Sequence, residues 1–266
     1  MNDIDLSLQA DAAAVYADQA REYLDGLVAP LDDMWAAFAD MATPHALLVD
    51  GQVVGCCSID EGGQLLRFHV QPRFSQHSTG LLRLVLAELE VAHMMVCTLD
   101  PNALSTALDL SASVHCHALL YGSVGEPEGD GLDELSLAVP DDLARIVDFQ
   151  VEATGMPREF LEPYGSVRLE RQELLLHERD GRLLCVGELR RDPRQSGVAH
   201  VGLIVHAEAR GQGVGSAMLA SLVSRSREAG LSPCCSTEVT NLGARRAIER
   251  AGFRAAHRVL HVEFTR

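Results

Sequence analysis

The sequence predicts an α/β protein built from two similar layered units in tandem. Helical and strand-like stretches alternate along the 266 residues, and one order of elements occurs twice, which indicates an internal duplication. A segment rich in glycine and acidic residues, without apolar periodicity, separates the two copies. We therefore predict a first domain over residues 1–122, a linker over 123–134 and a second domain over 135–266.

The first copy opens with two predicted helices on either side of Pro30, because proline lacks the N–H that a helix interior needs. Asp50-Gly51 is typical of the tight turn of a β-hairpin and joins two apolar runs. The predicted elements are helices over 8–27 and 32–42, then strands over 46–49, 53–58 and 65–70.

The second copy begins at Pro140, which is followed by two aspartates, a pattern that favours the first turn of a helix. Asp180-Gly181 predicts a second hairpin, in the same place as the first. Aligning Val70 with Val205 superposes the two copies, weakly by residue but consistently by element order. The predicted elements are a helix over 140–153, a loop over 154–166, strands over 173–178, 183–189 and 198–205, a helix after 214, and a strand over 231–240.

The formal net charge of −16 lies in the first half of the chain. Residues 1–135 hold 4 basic and 21 acidic side chains, whereas residues 136–266 hold 18 and 17. Because a basic patch is missing, we expect neither nucleic acid nor an anionic membrane as a partner. The acidic start of the chain and the lack of a long apolar run predict a cytoplasmic protein.

A glycine-rich turn between a strand and a helix is the most informative segment, with Arg210, Gly211, Gly213 and Gly215. Such a turn exposes unpaired backbone N–H groups at the positive end of a helix dipole, which suits a phosphate or pyrophosphate. The alternative is a turn that merely connects two elements. A Rossmann site is excluded by the glycine spacing, and a P-loop is excluded because the chain has no lysine.

The run Arg210-Gly-Gln-Gly-Val-Gly215 resembles the R/Q-x-x-G-x-G/A signature of the GNAT family of N-acetyltransferases. The run from Asn241 to Gly252-Phe253 is similar to the second signature of that family, an asparagine that opens a helix ending in Gly-Phe. Both signatures fall in the second copy, and the first copy is similar only in element order. The resemblance implies two tandem GNAT-like domains, each a mixed, mostly antiparallel sheet flanked by helices, with a degenerate first copy.

The resemblance also implies an N-acyltransferase that uses acyl-CoA, with acetyl-CoA as cosubstrate, and transfers the acyl group directly to a small amine or an amino-terminal group. Acyl-CoA would enter where the strands over 198–205 and 231–240 splay apart. Its pantetheine would pair with the first of these strands, and its pyrophosphate would lie on the glycine-rich turn. The residues implied to bind it are Leu203, Ile204, Val205, Arg210, Gly211, Gln212, Gly213, Val214, Gly215, Ser216 and Asn241.

His200 and Glu188 are the candidate general bases that would deprotonate the amine. The family commonly protonates the leaving thiolate with a tyrosine, and Ile248 occupies that position here. Either Cys235, Ser236 or water replaces it, the thiolate leaves unprotonated, or the copy is a weak catalyst. The alternative function is therefore a non-catalytic module that binds acetyl-CoA or a protein partner.

The first copy has Ser75 and Ser78 where the second has Arg210 and Gly213, so we predict that it does not bind CoA. As a hypothesis, its acidity attracts a cationic amine acceptor. His115-x-His117 has no third ligand at a recognisable spacing, and no metal site is predicted. The sequence is compatible with a monomer or a homodimer.

Overall fold

The computed structural model describes residues 4–10, 12–123 and 125–265, and it divides into two compact units. The first unit comprises Met1–Leu120 and Ala256–Arg266, and the second comprises Tyr121–Ala255. The predicted second domain runs to residue 266, whereas the structure assigns the last eleven residues to the first unit. The acidic start at residues 1–3, position 11 of the first predicted helix, position 124 of the predicted linker and residue 266 lie outside the described residues.

Helices and strands alternate in both units. The strands are β1 (Leu6–Ala10), β2 (Thr43–Val49), β3 (Gln52–Ile59), β4 (Gln64–Val70), β5 (His93–Cys97), β6 (Ser111–Ser123), β7 (Ser136–Leu137), β8 (Leu174–Arg179), β9 (Arg182–Arg191), β10 (Val198–Val205), β11 (Ser232–Glu238) and β12 (Phe253–Phe264). The α-helices are α1 (Ala13–Asp25), α2 (Asp33–Met41), α3 (Ser78–Glu88), α4 (Pro101–Leu110), α5 (Leu143–Thr154), α6 (Arg158–Glu170), α7 (Val214–Glu228) and α8 (Leu242–Arg250).

Each unit has its own sheet order. In the first unit the order is β1-β2-β3-β4-β5-β12-β6, and in the second it is β11-β10-β9-β8-β7. Most pairs are antiparallel, while β4 with β5 and β10 with β11 are parallel. Helices such as α1 and α7 pack on these strands, which confirms the predicted mixed, mostly antiparallel sheets flanked by helices. Within the described ranges, no helix is long and apolar enough to cross a membrane.

Both predicted hairpin turns are confirmed, and they occupy corresponding places in the two units. Asp50 and Gly51 have φ of 49° and 75° between β2 and β3, while Asp180 and Gly181 have φ of 53° and 74° between β8 and β9. Two successive left-handed residues form the turn that matches the right-handed twist of the strands, and aspartate followed by glycine adopts it readily. The sequence repeat is therefore also a structural repeat.

The predicted helix over 8–27 is wrong at its start, because residues Leu6–Ala10 form β1 and the helix begins only at Ala13. β1 pairs antiparallel with β2 from Leu6 opposite Val49 to Ala10 opposite His45. Leu6 and Leu8 pack on the hydrophobic core of the first unit. Apolar and polar residues alternate from Leu6 to Gln9. This period of two favours a strand over a helix once the edge of a sheet is available for pairing.

The predicted loop over 154–166 is also wrong, since most of it belongs to α6. Pro163 lies inside this helix, although a proline there removes one backbone donor. Leu161, Gly165 and Leu169 are buried at a spacing of four residues, a helical pattern that outweighs the proline. At Gly165 a Cβ would lie 3.1 Å from a methyl group of Leu143, so glycine allows close contact between α5 and α6.

Candidate active site

In the second unit, β10 and β11 run side by side only at their beginnings. Val198 to His200 pair with Ser232 to Cys234, while β10 stays paired with β9 as far as Val205. In the described part of the chain, β10 has no partner on β11 beyond His200, so the strands open into a wedge as the resemblance implies. Backbone groups of Leu203 to Val205 that point into this wedge can pair with an extended ligand, as an added strand would.

The turn after β10 leaves a row of backbone donors at the start of α7. Gly211 and Gly213 have φ of 77° and 87°, a left-handed conformation that other residues adopt only with strain, and Gly213 is the N-cap of α7. No described residue accepts a hydrogen bond from the backbone N–H groups of Gly211 to Ser216. No atom beyond the chain neighbours lies within 4 Å of where a Cβ would stand at either glycine. The turn is thus an open anion cradle at the positive end of a 15-residue helix.

Side chains around the turn donate hydrogen bonds to nearby carbonyl oxygens and leave the space beside Gly211 and Gly213 open. Arg210, expected to add charge at the pyrophosphate, instead donates to the carbonyl oxygens of Val205 at 3.1 Å and Ala153 at 3.0 Å. Gln212 donates to the carbonyl of Glu208, and the Ser216 hydroxyl donates to that of Gly213. These side chains are occupied with carbonyl oxygens, so the backbone N–H groups are the part of the turn that is open to an anion.

Gly215 brings α7 close to the wedge. A Cβ there would lie in ordinary van der Waals contact, 3.5 Å from Val205, 3.7 Å from Leu203 and 3.6 Å from Ala247 of α8, so α7 and α8 both pack on this end of β10. Val214, the first residue of α7, is buried. Ile204 of β10 packs against the hydrophobic cluster that includes residues of α5 and α6. Leu203 and Val205 thus face α7, while Ile204 between them faces the layer of α5 and α6, as alternate residues of a strand do. The wedge lies at the edge of β10, between these two layers.

Asn241 begins α8, as predicted from its preference for the N-cap position. Its side-chain oxygen accepts a hydrogen bond from the backbone N–H of Ala244 at 3.1 Å. Gly252, with φ of 89°, follows the helix. Ile248, at the position of the missing tyrosine, is buried. Cys235 is buried and Ser236 half-buried on β11.

The segment predicted as a linker lies along α7. The N–H of Leu132 donates to the Ser221 hydroxyl at 2.8 Å, and a Cβ at Gly131 would stand 2.4 Å from the same oxygen. Together with the turn, this segment lines an open groove of about 540 Å³. The groove-lining residues are Pro127, Glu128, Gly129, Asp130, Leu132, Arg179, Gln212, Gly213, Val214, Ser216, Ala217, Ala220 and Arg250. Arg179 and Arg250 are cations that the sequence analysis missed, since nothing in their local sequence sets them apart.

His200, the first predicted base, lies where β10 and β11 are still paired and is only 1% exposed. Its Nε2 donates to Asp192 at 2.7 Å, and its Nδ1 lies 3.3 Å from the sulfur of Cys234. Burial raises the pKa of Asp192, but hydrogen bonds from His200 and from the Gln195 backbone hold it well below its usual range. Both ring nitrogens therefore have neighbours inside the protein, which makes His200 poorly placed to take a proton from an amine.

Glu188, the second predicted base, lies opposite Gly202, just where the wedge opens. Its carboxylate accepts hydrogen bonds from Tyr164 at 2.7 Å and Arg190 at 2.6 Å. Burial and the Glu188 carboxylate raise the pKa of Tyr164 above its usual range, so this phenol stays protonated. Gly202 has no side chain, and a Cβ there would meet nothing within 4 Å, so space is open beside Glu188.

Tyr121 is a hydroxyl that the sequence analysis did not connect with α8. It lies at the start of the second unit and donates to Glu249 at 3.2 Å. Burial, followed by the charge of Glu249, raises the pKa of Tyr121 to about 12. The residue comes from a distant part of the chain, so motif spacing could not have revealed this contact.

The corresponding turn of the first unit differs in backbone and in charge. No described residue between Gln71 and Gly80 has a positive φ, and Ser78 is buried at the start of α3. At Gly80 a Cβ would lie 2.8 Å from Leu6, so this glycine makes room for β1. The adjoining cavity of about 280 Å³ is lined by Glu22, Asp25 and Asp100 among others, a charge that disfavours phosphates.

Comparisons with known proteins agree with this geometry. Residues 16–124 match a family model described as "Acetyltransferase (GNAT) domain", and residues 141–253 match one described as "Acetyltransferase (GNAT) family". No curated protein sequence matches the chain.

Solved structures extend this likeness over nearly the whole chain. An acetyltransferase of the GNAT family from Colwellia psychrerythraea is 31% identical, with a TM-score of 0.92 over 97% of this chain and 100% of the other. A GCN5-related N-acetyltransferase from Sphaerobacter thermophilus (15% identity, TM-score 0.67, 97% and 95% covered) shares the fold. So does a tandem GNAT protein from the clavulanic acid biosynthesis pathway (14%, 0.64, 97% and 98%). The chain belongs to the GNAT family of acetyltransferases and carries two GNAT domains in tandem.

Proposed function

We propose that the chain is an acetyl-CoA-dependent N-acyltransferase that acts on a small amine or an amino-terminal group through its second unit. The observation that carries this proposal is the adjacency of two features, the wedge between β10 and β11 and the open cradle at the start of α7. An extended pantetheine arm ending in a pyrophosphate needs a strand edge followed by an anion site, in that order along the chain.

The residues present fit this cosubstrate. The unpaired N–H groups of Gly211 to Ser216 would bind the pyrophosphate, and the free edge of Leu203 to Val205 would pair with the pantetheine. Acetyl-CoA supplies an activated thioester. A backbone N–H of β10 at the wedge would stabilise negative charge on the thioester oxygen, since such a donor is fixed in place before the reaction.

Glu188 is the base we propose, in preference to His200. It would take a proton from the ammonium form of the acceptor, and the free amine nitrogen would then form a bond to the acetyl carbon. The C–S bond would break to release CoA as a thiolate, and the nitrogen would pass its second proton to this thiolate or to solvent to leave a neutral amide. Arg190 and Tyr164 hold the Glu188 carboxylate in place through hydrogen bonds of 2.6 Å and 2.7 Å. Because a CoA thiol is fairly acidic, the thiolate can leave without a dedicated acid, with Ser236, Cys235 or water as possible proton sources.

The second candidate function is a non-catalytic module that binds acetyl-CoA. The buried Ile248 at the position of the family's tyrosine favours it, because an alkyl side chain cannot donate a proton. Such a module would bind acetyl-CoA in the same cradle and would differ from the transferase only because it does not transfer the acetyl group.

Calorimetric titration with acetyl-CoA and a thiol-release assay across an amine panel test both candidates. Binding with release supports the transferase, and tight binding without release from any amine supports the module. Gly213→Asp should weaken acetyl-CoA binding at least 100-fold, since two like charges about 4 Å apart repel by about 4 kcal/mol at a protein surface.

Gly230→Asp is the matched control. This glycine also has a left-handed φ, of 70°, and open surroundings, but it follows α7 instead of preceding it. Both variants introduce the same strain and the same charge, so only the cradle variant should lose binding. Equal affinities for the two variants would remove the cradle from the proposal.

A further inference from the structure

Three potential metal ligands meet on the sheet of the first unit. His93 lies on β5, and His261 and Glu263 lie on β12, with Glu263 directly opposite His93 in the antiparallel register. One nitrogen of each imidazole and one carboxylate oxygen all lie within 4.8 Å of one another. The two imidazole rings stack with their centroids 5.0 Å apart.

The same face of the sheet continues onto β6. The Ser113 hydroxyl donates to Oε2 of Glu263 at 2.6 Å and lies 3.4 Å from Nε2 of His115. This bond fixes the carboxylate, as hydrogen bonds to the ligands do in established metal sites. β12 places Val262 on the opposite face, where it is buried in the core, whereas the polar cluster shares its face with Val259 and Met95 of a second hydrophobic cluster.

Ordinary packing does not account for this arrangement. Nδ1 of His93 is buried without a hydrogen-bond partner among the described residues, although a buried polar atom normally has one.

We propose that His93, His261 and Glu263 bind one divalent transition-metal ion of the zinc class. Two imidazoles and a carboxylate form a donor set that suits zinc and disfavours calcium and magnesium, which prefer oxygen ligands. Ligand atoms of a tetrahedral zinc site lie roughly 3.4 Å apart, so small side-chain rotations close the cluster. His115 or water would complete the coordination.

The bound ion would join β5 to the last strand of the chain, two segments far apart in sequence. A cross-link of this kind stabilises the folded state because the ion binds the assembled site and not the separated ligands. The site would therefore secure β12 in the first unit.

The test uses the full chain without a polyhistidine tag, treated with a chelator and then titrated with zinc ions. We expect one zinc ion per chain, a zinc-dependent rise in melting temperature, and tetrahedral absorption bands when cobalt replaces zinc. Glu263→Gln, which keeps the side-chain shape, and His93→Ala should each weaken binding about 100-fold or more, beyond the 10- to 100-fold loss typical of outer hydrogen-bond partners.

His77→Ala, which removes a half-buried imidazole from the turn before α3, is the matched control and should bind zinc as the parent chain does. Circular dichroism of Glu263→Gln verifies that the variant folds. Failure to saturate with zinc, or equal zinc affinity in Glu263→Gln, His93→Ala and His77→Ala, would overturn the proposal.

Discussion

Replacing Asp192 by asparagine tests whether the His200 cluster supports the fold or performs catalysis. The Asp192 side chain is fully buried and accepts hydrogen bonds from His200 at 2.7 Å and from the backbone N–H groups of Arg194 at 2.7 Å and Gln195 at 2.9 Å. An amide group in this place has one acceptor oxygen instead of two, so at least one buried donor loses its partner. We expect Asp192→Asn to reduce the free energy of unfolding by about 3 kcal/mol.

The predicted loss depends on pH in a defined direction. The pKa of Asp192 lies below its ordinary value of 3.8 in the folded chain, so its stabilisation is fully present above about pH 4. It disappears as the pH falls through the lowered pKa. The difference in stability between the parent chain and Asp192→Asn should therefore be largest near neutral pH and shrink in acid.

Urea denaturation followed by circular dichroism between pH 3 and pH 7 measures this difference. Asp180→Asn, the same chemical change at an exposed hairpin turn, should alter stability by less than about 0.5 kcal/mol. The variant His200→Asn should be destabilised as well, with an unchanged pH profile for any remaining activity. Normal stability of His200→Asn, together with a lost activity limb near the pKa of a histidine, would refute this reasoning and restore His200 as the base.

Three further predictions concern other positions. Glu188→Gln should lower kcat/KM for amine acetylation at least 100-fold without changing acetyl-CoA affinity, because a general base contributes about that much. Gly131→Val should weaken acetyl-CoA binding measured by calorimetry, since a Cβ there would stand 2.4 Å from Ser221 and displace one wall of the groove. Gly55→Ala should destabilise the first unit by about 3 kcal/mol in thermal unfolding, as its Cβ would lie 2.0 Å from the carbonyl oxygen of His69.

Control substitutions distinguish these effects from a general loss of folding. Glu178→Gln on β8 should keep full activity, and Gly122→Ala should both bind acetyl-CoA and unfold like the parent chain, since a Cβ at Gly122 meets nothing within 4 Å. A fully active Glu188→Gln would show that another group accepts the proton. Unchanged affinity in Gly131→Val, or unchanged unfolding in Gly55→Ala, would mean that the backbone moves aside at those positions.

Local patterns predicted much of the fold. Asp50-Gly51 and Asp180-Gly181 determine their turns through backbone preferences alone, so both hairpins could be predicted. The start of the chain and α6 could not. β1 forms because β2 offers it a free edge, and α6 tolerates Pro163 because its buried face packs on α5, so tertiary contacts decided both.

The candidate site could likewise be predicted only where it depends on local sequence. The signature from Arg210 to Gly215 predicted the cradle because φ, helix polarity and the absence of side chains are local properties. It did not reveal that Arg210 bonds to the carbonyls of Val205 and Ala153, or that residues 127–130 and Leu132 line the groove. Those contacts join segments that are distant in sequence.

The sequence by itself determined the tandem repeat, its hairpins, the glycine-rich cradle and the lack of that cradle in the first copy, since each depends on neighbouring residues. Only the tertiary structure decided that His200 is enclosed, that Glu188 lies beside Gly202 at the mouth of the wedge, and that β12 from Ala256 onward belongs to the first unit. It also brought His93 together with His261 and Glu263, a cluster that no spacing rule contains. The physical reason is that strand pairing in a sheet joins residues across the whole length of the chain, and a sequence pattern records only what lies within a few turns.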